Sequence, residues 1–304
     1  STLSSSSAAS DVYKRQIFYC AYFLLFVSFF MSDIVVSNGL VIQLFRYTSY
    51  LLMIVGLIKK NIKNNNIYWY FGAFVICLGI SLITRDVYWC TIILVILAMA
   101  EQDMREIFKI SYFTMLILTI VVVLLSIIGV IPNVENMRLG EEEIRLGLGF
   151  YHSDVLPLIL FYLIVYRIIL SRNNVSFKRV IIWIVSTIMA YLICGSKNGL
   201  MGTIILLIMF LIITRKKFSK SHILLFLSRF VVVFLSVGSF FIMYFQGIGD
   251  AKLYVINNYF SGRFAIAYHA MTRIGVHLVN FMNGDKYAET ISQWFVIDLS
   301  LIHI

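Results

Sequence analysis

Residues 110–131, ISYFTMLILTIVVVLLSIIGVI, form an unbroken apolar run without a charged side chain. At a rise of about 1.5 Å per residue, a helix of this length crosses the roughly 30 Å hydrocarbon core of a bilayer. Similar apolar runs recur along the chain. Apolar residues follow one another in these runs instead of alternating with polar residues, which argues against a transmembrane β-barrel. The pattern therefore predicts a helical membrane protein.

The composition of the whole chain favours the same class. Of its 304 residues, 61% are hydrophobic and only 13% are charged, and the mean hydropathy is +0.90. A soluble protein of this length could not cover its surface with so few charges. The net charge of +10 could indicate nucleic-acid binding, but the lysines and arginines lie in short loops between apolar runs, as the positive-inside rule predicts. We therefore expect no nucleic-acid partner.

The apolar runs predict an all-α, polytopic transmembrane helical bundle with about nine spans. An arginine within a span, such as Arg46 in the second, faces a cavity or a polar partner, or else reaches outward to the interface. Two longer connections, residues 132–154 and 247–298, are predicted outer loops, and the second is expected to contain an amphipathic helix. The spans are expected at about residues 17–31, 39–58, 67–84, 87–100, 110–131, 155–170, 180–194, 199–214 and 223–245.

Both ends of the chain differ from this apolar body. Residues 1–16, STLSSSSAASDVYKRQ, are serine-rich and resemble the translated adapter tails of metagenome-derived reading frames. We expect an artefactual or disordered tail there and a second artefactual tail at residues 299–304. Residues 17–298 form the predicted transmembrane domain.

The loop charges predict an orientation. If the lysine-bearing turn at residues 59–63 is cytoplasmic and the spans alternate, most of the basic loop residues fall on the cytoplasmic side. The positive-inside rule then places the start of the chain in the cytoplasm. The same alternation brings five polar residues to the outer face, namely Arg145, His152, Lys197, Arg263 and His269.

The stretch RLGLGFYHSDVLP, residues 145–157, is the first candidate site. Arg145 stays charged, and its planar guanidinium matches phosphate oxygens. His152 can carry a proton near neutral pH, although it also fits an ordinary interfacial residue. Asp154 can orient that histidine, or it can act as the N-cap of the next helix.

The second candidate site is GSKNG, residues 195–199. This turn leads into a helix whose N-terminal amides can meet an anion, and Lys197 adds a positive charge beside Ser196. The alternative is a plain turn between helices.

The third candidate lies in residues 259–281. His269, Arg273 and His277 are spaced four residues apart and share one helix face, which also fits an amphipathic helix lying on lipid headgroups. The two histidines lie roughly 12 Å apart along the helix axis, so they cannot share one metal ion. We expect no metal and no other cofactor. The sequence contains no Walker motif, which argues against ATP-driven transport by this chain.

Three blocks resemble the Wzy-type oligosaccharide repeat-unit polymerases of the O-antigen ligase and polymerase superfamily. Lys197 stands where that family usually has arginine, and Ser-Asp follows His152 where Pro-Asn or a similar pair is usual. The blocks are RLGLGFYHSDVLP (145–157), CGSKNGLMGTIILL (194–207) and SGRFAIAYHAM (261–271), and WFVID (294–298) is similar to the start of a further family block.

The resemblance implies an enzyme of the bacterial cytoplasmic membrane that polymerises oligosaccharide units linked to undecaprenyl pyrophosphate, without metal or cofactor. Fixed cations would stabilise the leaving pyrophosphate. Beyond the lipid-linked substrate and the bilayer, the implied partners are a flippase and a chain-length regulator. The implied catalytic residues are His152 as the general base with Arg145 and Arg263 as pyrophosphate ligands, and the implied substrate-binding residues are Lys197, Ser196, Arg273 and His269.

Three other functions stay open at this point. A related ligase would transfer a finished glycan to lipid A or to a protein. A flippase or secondary transporter should show inverted repeats and charges at mid-membrane, whereas no clear repeat is seen here. A structural membrane subunit is the remaining alternative.

Overall fold

The computed structural model describes residues 2–58, 67–84, 88–100, 102–137, 144–171 and 175–214, together with Gly238, Phe241 and Phe245. The predicted outer loop at 247–298, its amphipathic helix and the tail at 299–304 lie outside these residues. Of the predicted ninth span, only the three named residues are described, and each is helical.

The described part of the chain holds helices and one small antiparallel sheet. The sheet consists of strands β1 (Glu135–Met137) and β2 (Ile144–Leu146), which lie between the fifth and sixth helices. The helices are α1 (Thr2–Ser32), α2 (Gly39–Ile58), α3 (Ile67–Thr84), α4 (Tyr88–Met99), α5 (Met104–Ile127), α6 (Val155–Ser171), α7 (Phe177–Cys194) and α8 (Lys197–Thr214).

Three helical segments are long and apolar enough to cross a membrane: Arg15–Ser32, Gly39–Leu57 and Met104–Ile127. Shorter apolar helical segments occur in α4, α6 and α8. Such helices are typical of a membrane protein. The bounds of α2, α3, α4, α6, α7 and α8 agree with the predicted spans to within three residues, whereas the total of nine spans stays a prediction.

Helix α1 begins earlier than the sequence predicts. It spans Thr2–Ser32, 31 residues, and so includes almost all of the tail that was expected to be artefactual or disordered. Extending an existing helix avoids the cost of nucleation, and the alanines in this tail favour the helical state.

Helix α5 begins at Met104, six residues before the predicted start of the span. Asp103 is its N-cap, and the carboxylate of Asp103 accepts a hydrogen bond of 2.9 Å from the backbone N–H of Arg105. Charged residues that precede the predicted span thus form the first turns of the helix, where Glu106 pairs with Lys109. The cap at Asp103 allows the helix to begin among these polar residues.

The same helix ends at Ile127, before the apolar run does. Gly129 adopts the left-handed conformation, with φ of 85°. The N–H groups of Gly129 and Val130 bond to the carbonyls of Ser126 and Leu125 at 3.1 and 2.9 Å. This is a Schellman motif, which satisfies the last carbonyls of the helix and turns the chain away.

The contacts divide the chain into two compact units. The first consists of Ser1–Phe74 and Thr91–Thr214, and the second of Val75–Cys90 and Arg215–Ile304. The first unit contains every candidate site residue that the structure describes, and the following paragraphs concern it alone.

Two apolar clusters form the core of the first unit. One joins α1, α2, α4 and α5 around Met53 and Ile107. The other joins α1, α5, α6 and α7 around Phe150, which is fully buried and meets the Phe30 ring edge-on at a centroid distance of 5.9 Å. Phe150 belongs to the loop before α6, so this second cluster anchors that loop in the helix bundle.

Helices α6 and α8 approach each other closely at Pro157 and Gly199. A Cβ atom on Gly199 would overlap the Cβ of Pro157 and lie 3.3 Å from its carbonyl carbon. Only a hydrogen fits at this point. The contact places the first turn of α8 against the first turn of α6.

We expect Gly199→Ala to lower the free energy of unfolding by about 1 to 3 kcal/mol, because the added methyl forces the two helices apart. The matched control is Gly202→Ala in the same helix, where a Cβ would lie 3.7 Å from the Phe161 ring, an ordinary contact. That variant should be neutral or slightly stabilising. Thermal unfolding in detergent measures both, and equal stability of the two variants would contradict the close approach.

Candidate functional site

Arg145 lies on a short hairpin that precedes the candidate histidine. Strand β2 pairs antiparallel with β1, and Arg145 is opposite Asn136. The hairpin continues beyond the strands, because Gly147 N–H bonds to the Val134 carbonyl at 2.9 Å and Leu148 N–H to the Asn133 side-chain oxygen at 2.8 Å. Hydrogen bonds between residues 144–148 and residues 133–137 therefore fix the backbone direction at Arg145.

The chain after Arg145 turns against α5. Gly149 has φ of 87°, and a Cβ there would lie 2.9 Å from Cγ1 of Val122 and 3.2 Å from Cβ of Ser126. Both the backbone conformation and the space require glycine. The turn then delivers Phe150 into the core.

The loop between α1 and α2 holds this turn from the other side. Val35 N–H bonds to the Gly149 carbonyl at 3.1 Å, and Tyr151 N–H bonds to the Asp33 carbonyl at 2.9 Å. Ile34 and Phe150 form an isolated β-bridge between these bonds. The segment that leads to His152 is thus fixed by α5 and by the α1–α2 loop.

His152 and Asp154 interact at the start of α6. The backbone N–H of Asp154 donates to Nδ1 of His152 at 3.2 Å, and the Asp154 carboxylate lies 3.7 Å from the same nitrogen. In this arrangement Nδ1 is an acceptor, so the neutral imidazole carries its proton on Nε2. When the ring is protonated, Nδ1–H faces the carboxylate as an ion pair.

Asp154 also occupies the N-cap position that the sequence predicts. Its carbonyl accepts the hydrogen bond of the Leu158 N–H at 3.2 Å, which is the first bond of the helix. Its carboxylate faces His152. The two alternatives considered for Asp154, a cap position and an orienting group, are therefore compatible.

The turn between α7 and α8 forms the other half of the site. Gly195 ends α7 in the left-handed conformation, with φ of 64°, and its N–H bonds to the Tyr191 carbonyl at 2.8 Å. Ser196 is buried, and its hydroxyl accepts a bond of 3.4 Å from the Gly199 N–H. The serine thus acts as the N-cap of α8, while Lys197 is exposed at the first position of that helix.

The side chain of Arg145 lies directly over Gly195. A Cβ on that glycine would be 2.9 Å from Nε and 3.0 Å from Cδ and Cγ of the arginine. Only 7% of Arg145 is exposed. It lies at the C-terminal end of α7, where unsatisfied carbonyls and the negative end of the helix dipole favour a cation.

The two sequence stretches also meet at a second point, where Pro157 contacts Gly199. The structure thus brings residues 145–157 and 194–199 together, whereas the sequence predicted only that they share one face of the membrane. The side of the membrane on which they lie stays a prediction.

The remaining predicted site residues, Arg263, His269 and Arg273, lie outside the described residues. Within the described part of the chain, no group of three His, Cys, Asp or Glu side chains could hold a metal ion.

Two contributors to the site were not anticipated from the sequence. One is the hairpin, whose strands of three residues each are too short to show an alternating pattern. The other is Asp33, at the end of α1, whose backbone carbonyl holds Tyr151. Its side chain keeps contact with solvent, but burial by neighbouring atoms raises the pKa of its carboxyl. An aspartate directly after an apolar run was the only available signal.

We expect Gly195→Ala to cost about 1 to 2 kcal/mol for the left-handed backbone, plus a further loss from the contact with Arg145. The Arg145→Ala background should remove the second part, giving a coupling energy of about 1 kcal/mol in a double-mutant cycle. Denaturant unfolding in detergent supplies the four free energies. Additive effects would show that the two side chains do not meet.

Comparison of the chain with protein-family models, with curated proteins and with solved structures gives no match.

Proposed function

We propose that the chain is a Wzy-type polymerase that joins oligosaccharide units linked to undecaprenyl pyrophosphate at the outer face of the bacterial cytoplasmic membrane. The supporting observation is the packing of Arg145 on Gly195. It joins the two described blocks that resemble this family, residues 145–157 and 194–207. The candidate base His152 and the cations Arg145 and Lys197 thereby belong to one region of the first unit.

The proposed reaction is a glycosyl transfer. A hydroxyl oxygen of the incoming lipid-linked unit attacks the anomeric carbon of the growing glycan. The bond from that carbon to the pyrophosphate oxygen breaks, and undecaprenyl pyrophosphate leaves with the electron pair. The hydroxyl proton goes to a base. Negative charge builds on the pyrophosphate, so fixed cations lower the barrier.

His152 is the proposed base. With the Asp154 N–H on Nδ1, the neutral ring holds its proton on Nε2 and cannot accept another there. Base catalysis through Nε2 therefore uses the other tautomer, in which Nδ1–H turns to the Asp154 carboxylate at 3.7 Å. The carboxylate then stabilises the imidazolium that forms when the acceptor proton arrives.

Because Arg145 is buried and Lys197 is exposed, the two cations have different proposed roles. Because Arg145 is almost fully covered by the hairpin and the α7–α8 turn, its main part in the proposed site is to position that turn. Lys197 is exposed and lies at the positive end of the α8 dipole, so it is the proposed direct contact to pyrophosphate. Arg263, Arg273 and His269 are proposed to complete the site from residues 247–298.

We expect His152→Gln to reduce glycan extension by roughly 100-fold or more, the usual contribution of a general base. Asp154→Asn should cause a smaller loss, because the asparagine side-chain oxygen can still accept the Nδ1–H bond but carries no charge to stabilise the imidazolium. Glu135→Gln, which removes an exposed charge from the same hairpin, is the control. The measurement is the length of lipid-linked glycan in a strain that depends on this chain, with membrane abundance checked for each variant.

The same assay separates the proposed polymerase from a ligase. Loss of a polymerase leaves single units attached to their final acceptor, whereas loss of a ligase leaves long lipid-linked chains unattached. Normal chain length in the His152→Gln strain would end the proposal that this residue is the base.

Lys197→Met should lower extension by about 10- to 100-fold, because an anion-stabilising charge is lost while the side-chain length is kept. Lys197→Arg should retain most activity. The matched control is Lys178→Met, which removes an exposed lysine from the first turn of α7. Equal activity of the Lys197→Met and Lys178→Met proteins would argue against direct contact with pyrophosphate.

A further inference from the structure

A second cationic region lies at the far ends of the helices that form the candidate site. The candidate site adjoins the N-terminus of α6 and the C-terminus of α7. Near the C-terminus of α6 and the N-terminus of α7, a groove of about 430 Å³ opens between helices. It is lined by Tyr112 and Leu116 of α5, Arg167 of α6, and Arg179, Ile182 and Trp183 of α7.

The groove combines two guanidinium groups with apolar walls. Arg167 is partly buried, and its Cζ lies 5.8 Å from the centroid of the Tyr112 ring, a cation–π contact. Arg179 is exposed and shares a helix face with Ile182 and Trp183. Among the described residues, those that line the groove include two arginines and no aspartate or glutamate, so their net charge is positive.

The membrane determines what the groove can hold. Helix α5, which forms one wall, is long and apolar enough to cross the bilayer. Arg179 is the third residue of α7 and Trp183 the seventh, so the tryptophan lies roughly 6 Å farther along the helix axis. An arginine near a helix end, with a tryptophan about one turn farther along the helix, is typical of the membrane interface, where the arginine lies at the level of the headgroups. Leu116 and Ile182 provide an apolar surface for a chain.

We propose that this groove binds an anionic phospholipid of the surrounding membrane, with the headgroup phosphate at Arg167 and Arg179 and an acyl chain along Leu116 and Ile182. Arginine matches phosphate oxygens in a planar, bidentate manner. Free phosphate would leave the apolar walls uncovered, whereas a lipid covers the walls with its acyl chain and pairs with the two arginines through its phosphate. The volume is within the range of small-molecule sites. The proposal requires membrane insertion of α5 but not polymerase activity.

The test uses the full chain, purified in detergent and stripped of lipid, with bound lipids counted by native mass spectrometry. Phosphatidylglycerol and phosphatidylcholine with identical acyl chains are the two probes. The wild-type chain should bind the first phosphatidylglycerol more tightly than phosphatidylcholine. Arg167→Gln and Arg179→Gln should each weaken that binding about fivefold, and Arg179→Lys should weaken it less.

Lys178→Gln is the matched control, because it removes a neighbouring exposed charge that does not line the groove. It should change the affinity by less than about twofold. Equal affinity for the two lipids, equal loss in the Lys178→Gln and Arg179→Gln proteins, or displacement of the lipid by excess inorganic phosphate would each overturn the proposal. If Arg167→Gln fails to fold, the Arg179→Gln and Arg179→Lys variants, at an exposed position, still test the proposal.

Discussion

The position of one buried guanidinium governs the geometry of the candidate site. Moving a charged group out of water costs several kcal/mol unless the protein supplies polar or opposite charge. Arg145 meets this constraint at the C-terminal end of α7, over a left-handed glycine that leaves space for its side chain. The hairpin must then lie beside the α7–α8 turn. The start of α6 and the start of α8 follow from that placement.

The segment between Arg145 and α6 is held at several points. Gly149 lies against α5, Phe150 is inserted in the core, and the residues before and after it are bonded to the α1–α2 loop. The proposed reaction between two large lipid-linked substrates would depend on holding the base and the cations in place before the substrates arrive. A loop fixed by the scaffold provides this preorganisation, so the tightness of the turn supports the role proposed for His152.

Most of the helices could be predicted from the sequence, because the length of an apolar run is a local property. The beginning of α5 could not, because the cap at Asp103 allows the helix to begin among polar residues. From the alternation of spans, the sequence predicted only that residues 145–157 and 194–199 share one face, and their contact was not predicted. The burial of Arg145 depends on atoms distant in the sequence and has no local signature. The capping role of Ser196, by contrast, depends on the Gly199 N–H three residues away.

The bond from Val35 to Gly149 and the contact of Arg145 with Gly195 join residues far apart in the chain. Helices of a membrane protein emerge in order during synthesis, so these contacts form only after the intervening helices are in place. A nascent chain that ends before α8 has the histidine but lacks the turn that Arg145 covers. Assembly of the candidate site is consequently a late event in biogenesis.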